Sequence, residues 1–268
     1  MTKITRAVVL AAGAGSRMRA VNMDSELNAE QSAAAVAGAK AMMPLGTRPF
    51  LDYVLHGLAE AGIQEICLVV APDHDPIRDH YAAARPQRLS IQFAVQDTPL
   101  GTAHALLSAQ DFAASQEFLL INGDNHYPVQ SLTDLAETTG PALAAFDAES
   151  LLEPDLPQEQ RSVRLMAYSD VAIDADGWLK SITEKPDVVP RRVSMNCWRL
   201  GPTIFEACRA IERSPRGELE LPSAVLYSKE HLGQAYRALP ALGPVLDLSS
   251  RSDVARVQAH LASIEVVL

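Results

Sequence analysis

The 268-residue sequence predicts an α/β protein with a doubly wound, mostly parallel mixed sheet and a small antiparallel extension. In the first half, short apolar runs alternate with helical patterns, which is typical of a parallel sheet covered on both faces. In the second half, alternating apolar and polar segments flank an Asp174-Ala-Asp-Gly177 turn, as in an antiparallel meander. We expect one domain over residues 1–268.

The elements of the first half follow from their apolar patterns. Arg6–Ala11 is a continuous apolar run and predicts a buried strand. Pro49–Gly62 carries apolar residues at helical spacing and stops at a glycine. The other predicted elements here are strands at Ile66–Ala71, Leu89–Val95 and Phe118–Ile121, and helices at Pro76–Ala84 and Thr102–Ala109.

The second half mixes strands and helices. Strands are predicted at Val163–Tyr168, Val171–Asp174, Trp178–Thr183 and Val193–Leu200, with short strands near Tyr236 and Val245. Helices are predicted at Pro202–Arg213, Leu219–His231 and Ser252–Ser263. A serine suits a helix N-cap, so Ser250 or Ser252 is expected to cap the last helix.

Composition excludes several classes of protein. Hydrophobic residues make up 48% of the chain, too many for a disordered protein. The net charge of −10 argues against a nucleic-acid partner, and no apolar run approaches the roughly 20 residues that cross a membrane. Cys67, Cys197 and Cys208 form no CxxC pair, which favours a cytoplasmic location. Cys67 and Cys208 are expected to fill core space.

The first strand runs into the glycine-rich loop Leu10-Ala-Ala-Gly13-Ala-Gly15-Ser16-Arg17. The backbone N–H groups of such a loop can bind phosphate oxygens, and a guanidinium binds two of those oxygens at once. A dinucleotide-binding dehydrogenase would need a third glycine where Met18 stands. A Gly-x-Gly pair alone also fits an ordinary tight turn with a surface arginine.

Further motifs follow in a fixed order. They are Lys40-Ala-Met-Met-Pro44 with Arg48–Val54, Gln96-Asp-Thr-Pro-Leu-Gly101-Thr-Ala-His-Ala105, Asn122-Gly-Asp124-Asn125, Glu184-Lys185-Pro186, Arg216-Gly-Glu-Leu-Glu-Leu221, and Leu246-Asp247-Leu-Ser-Ser250. Together with the glycine-rich loop they resemble the sugar-1-phosphate nucleotidyltransferases, especially the glucose-1-phosphate thymidylyl- and uridylyltransferase branch. The resemblance implies a Rossmann-like sheet, with residues 1–125 approximately as the nucleotide-binding half and 126–268 as the sugar-phosphate-binding half.

The resemblance also implies an enzyme that joins a sugar 1-phosphate to a nucleoside triphosphate and releases pyrophosphate. UTP or dTTP is favoured, although purine-using relatives have similar loops. The implied catalytic cations are Arg17, Lys40 and Lys185, and the implied Mg²⁺ ligands are Asp124 and Asp247. The implied nucleotide-binding residues are Ala11, Ala12, Gly13, Gly15, Ser16, Arg17, Gln96, Gly101 and Thr102. The implied acceptor-binding residues are Asn125, Glu184, Lys185, Asn196 and Trp198.

The residue types agree with this chemistry. A phosphate monoester has a second pKa of about 6, so its dianion attacks the α-phosphorus without a general base. Catalysis then needs positioning and neutralisation of negative charge. Asp124 follows an apolar strand, where ligands bind in parallel sheets. Asp247 is followed by Ser249 and Ser250, where the family usually has Gly and Thr.

Two alternatives stay open: a nucleotidyltransferase for a non-sugar phosphate acceptor, and a non-catalytic regulator that binds sugar nucleotides. Losing Arg17, Asp124 or Lys185 would indicate the regulator, and all three are present. A homo-oligomer is expected by analogy alone. No hexapeptide repeats follow in the sequence, so a fused acyltransferase domain is not expected.

Two segments depart from the family pattern. Ala20–Ala39 is a long insertion, predicted to be a mobile cover over the triphosphate or, alternatively, a helix at Ala29–Ala39 packed away from the site. Asn196 stands where relatives have a glycine, and Trp198 should share its strand face. This favours a restricted acceptor, such as a modified sugar or cyclitol phosphate, unless the strand shifts slightly. His104 is read as a packing histidine.

Overall fold

A computed structural model describes residues 3–13, 15–20, 27–152 and 158–268. Its strands are β1 Arg6–Leu10, β2 Pro44–Leu45, β3 Arg48–Pro49, β4 Glu65–Val70, β5 Ser90–Val95, β6 Phe118–Asn122, β7 Asn125–His126, β8 Ala142–Asp147, β9 Ser169–Ile173, β10 Leu179–Thr183, β11 Arg192–Leu200, β12 Arg237–Ala241 and β13 Leu246–Asp247. Its helices are α1 Ser16–Arg19, α2 Ala29–Ala37, α3 Phe50–Glu60, α4 Asp75–Ala84, α5 Thr102–Leu107, α6 Gln110–Ala113, α7 Val129–Glu137, α8 Ala148–Leu151, α9 Gln158–Leu165, α10 Thr203–Ala210, α11 Leu221–His231 and α12 Asp253–Leu261.

A nine-stranded mixed sheet organises the molecule, with the main order β10-β9-β11-β6-β1-β4-β5. β1 runs parallel to β4 and β6, and β4 runs parallel to β5. β11 runs antiparallel to β6, β8 and β9, and β12 joins β8 in parallel. The expected doubly wound sheet with an antiparallel extension is confirmed.

Helices cover both faces of this sheet, so its central strands are buried on both sides. In β1, Val8 packs into one hydrophobic cluster, while Ala7 and Val9 pack into the other. All three side chains are fully buried. This double burial explains the unbroken apolar run seen in the sequence. No helix in the described ranges is long and apolar enough to span a bilayer.

One predicted strand is wrong. Val163–Tyr168 is the end of helix α9 and the turn after it, with Met166 N donating to Ser162 O and Tyr168 N to Leu165 O. A short apolar run cannot distinguish strand from helix by periodicity alone. The preceding Gln, Glu and Arg residues are good helix formers, and they decide the outcome.

Some elements were absent from the prediction. The buried strand β8 reads Ala-Leu-Ala-Ala-Phe-Asp and contains no β-branched residue, so it lacks a strand signature. Helix α7 was also not predicted.

The predicted serine cap of the last helix is not formed. At the start of α12, Ser252 occupies the N-cap position without a side-chain cap, and Asp253 instead accepts from the Ser250 N–H at 2.8 Å.

The three cysteines are buried and unpaired. Burial raises the pKa of Cys67 and of Cys208 to about 12, and burial likewise raises the pKa of Cys197. We expect no reaction of the native protein with Ellman's reagent at pH 8, because the thiolate is the reactive form. All three thiols should react in guanidinium chloride. Rapid labelling of even one thiol in the native state would contradict this result.

Candidate active site

A cavity of about 650 Å³ opens at the carboxyl ends of the parallel strands β1, β4, β5 and β6. Residues predicted to bind nucleotide line it: Ala11, Ala12, Gly13, Gly15, Ser16, Gln96, Gly101 and Thr102. Lys40 and Asp124 line it as well. The predicted residues Arg17, Asn125, Glu184, Lys185, Asn196, Trp198 and Asp247 are not part of its lining.

Two loops meet closely at the glycine-rich side of the cavity. Gly15 has a φ of 63°, and a Cβ there would lie 2.2 Å from the carbonyl oxygen of Gly38. Only glycine permits both this conformation and this approach. The Arg251 Nε donates to the Met18 carbonyl at 3.0 Å, which fixes the end of the short helix α1.

The two arginines of this loop differ in placement. Arg17 is exposed and makes no hydrogen bond or ion pair to the described part of the chain. Arg19 lines the cavity, and its guanidinium donates to the Ala37 carbonyl at 3.0 Å. The motif singled out Arg17 alone, since spacing does not tell which of two nearby side chains turns inward.

Gln96, the residue that follows β5, also lines the cavity. Its side chain is nearly buried, and its Nε2 donates to the Gly101 carbonyl at 3.1 Å. A carbonyl only accepts, so the amide orientation is settled and Oε1 remains available for a ligand. His104 Nδ1 lies 3.2 Å from the same Nε2. His104 therefore positions Gln96 instead of merely filling space as predicted.

A late loop closes the same side of the cavity. Leu219 N donates to the Leu100 carbonyl at 2.7 Å, and Ala103 N donates to the Leu219 carbonyl at 2.9 Å. Gly101 has a φ of 104°, and a Cβ there would lie 2.5 Å from the Leu219 oxygen. Glu218 of this loop lines the cavity. The Arg216–Leu221 motif thus supports the Gln96–Ala105 loop.

Two carboxylates lie side by side beyond β6. The Asp124 Oδ2 pairs with the Lys40 ammonium at 3.1 Å. Strand β13 pairs with β7 so that Asp247 lies opposite Asn125, and Leu248 N donates to the Asp124 carbonyl at 2.9 Å. Both predicted metal ligands are therefore at one place, although only Asp124 lines the cavity.

Asp247 has an unusual acidity. Burial, followed by the charge of Asp124, raises the pKa of Asp247 to about 6. The Ser249 hydroxyl, 2.8 Å from both carboxylate oxygens, donates to Asp247 and partly offsets this rise. A buried carboxylate beside a second carboxylate forms an environment that favours a bound cation.

The donor set fits Mg²⁺. No cluster of three or more His, Cys, Asp or Glu side chains occurs in the parts of the chain that are described, so a closed protein cage for a metal is absent there. Mg²⁺ is commonly bound by one or two carboxylates, with water and substrate phosphates as its other ligands. Asp124 and Asp247 supply that number of carboxylates beside a cavity of suitable size.

Asn125 is part of the support for this pair. Its side chain is buried, and its amide lies 3.2 Å from Asp247 Oδ1 and 3.2 Å from the Tyr127 hydroxyl. Because a carboxylate accepts hydrogen bonds, the amide nitrogen is assigned to the Asp247 side. Asn125 therefore faces the carboxylates, and its contact with the acceptor substrate stays a prediction.

The Glu184-Lys185 segment lies on the antiparallel side. Glu184 is exposed and accepts from the Ser169 hydroxyl at 2.6 Å. Lys185 has a φ of 47° and no hydrogen-bonding or ionic partner in the described ranges. Arg216 has a raised pKa, caused first by its hydrogen bond to Glu220 and in smaller part by Glu218 and Glu184. The field of Glu184 thus reaches the loop that closes the cavity.

Asn196 and Trp198 share one face of β11, as predicted. The Trp198 Nε1 donates to Asn196 Oδ1 at 3.3 Å. Trp198 does not border the cavity, however, because its side chain is completely buried in the core. The strand pattern identified the face correctly, but it could not show how deep each side chain lies.

His74 lines the cavity, although it belongs to none of the motifs that predicted the site. It follows the carboxyl end of β4, and its Nδ1 accepts from Ala71 N at 3.4 Å. Burial lowers the pKa of His74. A polar side chain just after a buried parallel strand is the signal that could have identified it.

The long insertion borders the cavity at its end. Residues 21–26 of the predicted cover lie outside the described residues. Helix α2 carries an Asn28–Gln31 capping box, and Gln31 Nε2 donates to the Pro44 carbonyl and to Gln258 Oε1. The alternative helix is therefore present, but its last residue, Ala37, lines the cavity instead of packing away from it. The predicted mobility stays a prediction.

Comparisons with known proteins agree with this site. A family model described as nucleotidyl transferase matches residues 6–241. A glucose-1-phosphate thymidylyltransferase of Streptomyces antibioticus is 28% identical over 221 residues, which cover 82% of this chain and 56% of that protein. The UTP–glucose-1-phosphate uridylyltransferase AglF of Haloferax volcanii is 29% identical over 223 residues, covering 82% of each chain.

The match thus spans little more than half the length of the Streptomyces relative. Among solved structures, a UDP-glucose pyrophosphorylase complexed with UDP-glucose has a TM-score of 0.73 at 16% identity, covering 97% of this chain and 98% of that one. This likeness supports the fold. The family model covers most of the chain, and the motifs resemble the same family in order. The chain therefore belongs to the nucleotidyl transferase family.

Proposed function

We propose that this protein joins a sugar 1-phosphate to a nucleoside triphosphate, giving a nucleoside diphosphate sugar and pyrophosphate. The observation that carries the proposal is one cavity bordered by the Gly13–Ser16 loop, by Gln96 and by the Lys40–Asp124 pair. A phosphate loop, a base-reading amide and a charge pair at one sheet edge suit a nucleotide whose α-phosphorus is attacked. Relatives named for glucose 1-phosphate support the same assignment.

In this proposal the residues act mainly by positioning charge. Lys40 and Arg17 neutralise the triphosphate, while Lys185 holds the acceptor phosphate for in-line attack. Asp124 and Asp247 would hold Mg²⁺, which supplies positive charge to the phosphate oxygens when bound. Approximately, residues 1–125 bind the nucleotide and residues 126–268 bind the acceptor. The unpaired thiols suit a reducing compartment, so the proposal places the reaction in the cytoplasm.

Gln96 favours a particular class of base. Its Nε2 is occupied by the Gly101 carbonyl, so Oε1 is the atom available to a ligand. The ring N–H of uracil, thymine or guanine can donate to this oxygen, whereas adenine and cytosine could donate only from their exocyclic amine. Adenine and cytosine present a bare ring nitrogen at that edge. UTP and dTTP are therefore the favoured donors, and GTP is the nearest competitor.

The test is a matrix of five triphosphates against a panel of sugar 1-phosphates with Mg²⁺, read by pyrophosphate release. We expect release only when both substrates are present, with UTP or dTTP preferred over ATP and CTP. Omitting the sugar phosphate is the control for contaminating hydrolysis. Tight binding of a sugar nucleotide without turnover of any pair would instead indicate the regulator.

Substitutions of Lys185 and of Arg17 should raise the KM values of different substrates. Lys185→Ala is expected to raise the KM of the sugar phosphate about tenfold and leave that of the triphosphate nearly unchanged, because a charge-assisted hydrogen bond is lost on one side only. Arg17→Ala should do the reverse. Initial rates with each substrate varied measure both constants, and Lys180→Ala, an exposed lysine on β10, is the matched control. Equal loss of nucleotide affinity in both variants would contradict the division.

A further inference from the structure

Strand β11 contains a break where its pairing changes. Its register with β8 shifts between Ser194 and Trp198, and Asn196 within this break has a φ of 54°. Asparagine is one of the few residues besides glycine that visit this left-handed region. The Tyr127 hydroxyl donates to the Met195 carbonyl at 2.6 Å, which holds the break in place from the core.

The orientation of the Asn196 amide is fixed by Trp198. An indole N–H is only a donor, so the atom that it contacts at 3.3 Å is the amide oxygen of Asn196. Trp198 is fully buried and packs edge-on against Tyr236, with ring centroids 6.2 Å apart. The immobile indole therefore occupies the accepting side of the amide.

The donating side of this amide is left open. Asn196 is partly buried, and its Nδ2 makes no hydrogen bond to any described residue. None of the fully buried side-chain nitrogens and oxygens in the described ranges lacks a partner, so Nδ2 reaches accessible space.

Register places this donor near the cavity. The pairing of β11 with β6 ends where Trp198 lies opposite Leu120. If this antiparallel register is extended by two residues, Asn196 comes level with Asn122. Asn122 and Asp124 line the cavity. On the same edge of β11, before the break, Ser194 pairs with Ser169, whose hydroxyl donates to Glu184.

We infer that Asn196 is a specificity-determining residue, with Nδ2 donating to an oxygen on the acceptor sugar. This inference rests on the proposed function. The amide offers only hydrogen there, so it selects an oxygen that accepts: a hydroxyl, a carbonyl or a carboxylate. A sugar 1-phosphate that carries only hydrogen, or an ammonium group, at this position leaves the donor unpaired and is rejected.

Polarity reversal is the sharpest test. Asn196→Asp keeps the shape and the acceptor for Trp198 but turns the donor into a charged acceptor. We expect kcat/KM for the sugar phosphate to fall about 100-fold, while the KM of the triphosphate stays within about twofold. In Asn196→Gly, kcat/KM for the sugar phosphate should fall about tenfold. This variant should no longer discriminate against the deoxy analogue that the wild type rejects most strongly.

Trp198→Phe tests the role of the indole. It keeps an aromatic ring in the core but removes the N–H, so the amide is freed to rotate. We expect weakened discrimination among monodeoxy glucose 1-phosphates and glucosamine 1-phosphate, with little change in the KM of the triphosphate. Trp178→Phe is the control, because Trp178 is exposed and stacks on Arg237. A thermal melt of each variant confirms folding.

The outcomes separate the inference from the proposed function. If the wild type makes a sugar nucleotide and Asn196→Asp and Asn196→Gly use every analogue as the wild type does, the inference is overturned. If the wild type makes none, the proposed function fails. The inference is then decided by calorimetry with UDP-glucose and dTDP-glucose. Weaker binding by Asn196→Asp than by Asn196→Gly supports it, and equal binding by all three proteins overturns it.

Discussion

Replacing Asp124 with asparagine is expected to lower kcat by about 100-fold or more while the protein stays folded. The carboxylate faces the Lys40 ammonium at 3.1 Å and lies beside Asp247. The substitution removes a negative charge where a cation and several phosphate oxygens would converge. The fold should survive, because the bond from Leu248 is made to the backbone carbonyl of Asp124. Steady-state pyrophosphate release and a thermal melt measure the two effects.

Asp73→Asn is the matched control for this variant. Asp73 lines the same cavity but is exposed and has no ion pair with any described residue. It should keep turnover within about threefold of the wild type, since an exposed charge contributes little by itself. Near-normal turnover of Asp124→Asn at saturating Mg²⁺ would contradict its assignment as a metal ligand.

Replacing Gly101 with alanine should damage both stability and triphosphate binding. The added Cβ would lie 2.5 Å from the Leu219 oxygen and 2.9 Å from the Leu219 nitrogen, at a φ of 104°. We expect a loss of about 2–3 kcal/mol in the free energy of unfolding, because backbone strain and a steric clash act together. The KM of the triphosphate should rise about tenfold or more, since Gln96 donates to the carbonyl of the displaced residue.

Gly140→Ala is the control that separates the effect of backbone strain from that of the steric clash. Gly140 has a φ of 70°, but a Cβ there would meet nothing within 4 Å. The substitution should lower the free energy of unfolding by about 1–2 kcal/mol and leave the KM of the triphosphate unchanged. Urea unfolding and initial rates give both quantities. If Gly101→Ala and Gly140→Ala give the same free energy of unfolding and the same KM of the triphosphate, the close contact between Gly101 and Leu219 does not contribute to stability or to triphosphate binding.

The sequence predicted the parallel half well because its strands are buried on both faces. Ile66–Ala71 and Phe118–Ile121 are dense in large apolar residues, and each was found within a residue or so. The prediction failed where composition was ambiguous. Strand β8 is rich in alanine, and the apolar residues of α9 mimic a strand over a short window. Pairing with distant strands decides the structure of β8, whereas the good helix formers that precede Val163 decide that of α9.

The candidate site, like the fold, could be predicted from the sequence only in part. Motifs located many of the residues that line the cavity because each motif follows the carboxyl end of a parallel strand, and such ends converge on one edge. The burial of Trp198 depends on contacts between distant segments, such as its packing against Tyr236. The inward turn of Arg19 depends on the Ala37 carbonyl of the insertion. No local spacing encodes such contacts.

The pairing of β6 with β11 has a consequence for how the chain emerges from the ribosome. β6 is complete at residue 122, yet its second neighbour, β11, begins at residue 192. A nascent chain that has emerged only as far as β6 therefore carries an apolar strand with one edge unpaired. Such edges template association with other chains. The residues of β11 that cover this edge are Trp198–Leu200, so the edge of β6 stays unpaired until about 80 more residues have been synthesised.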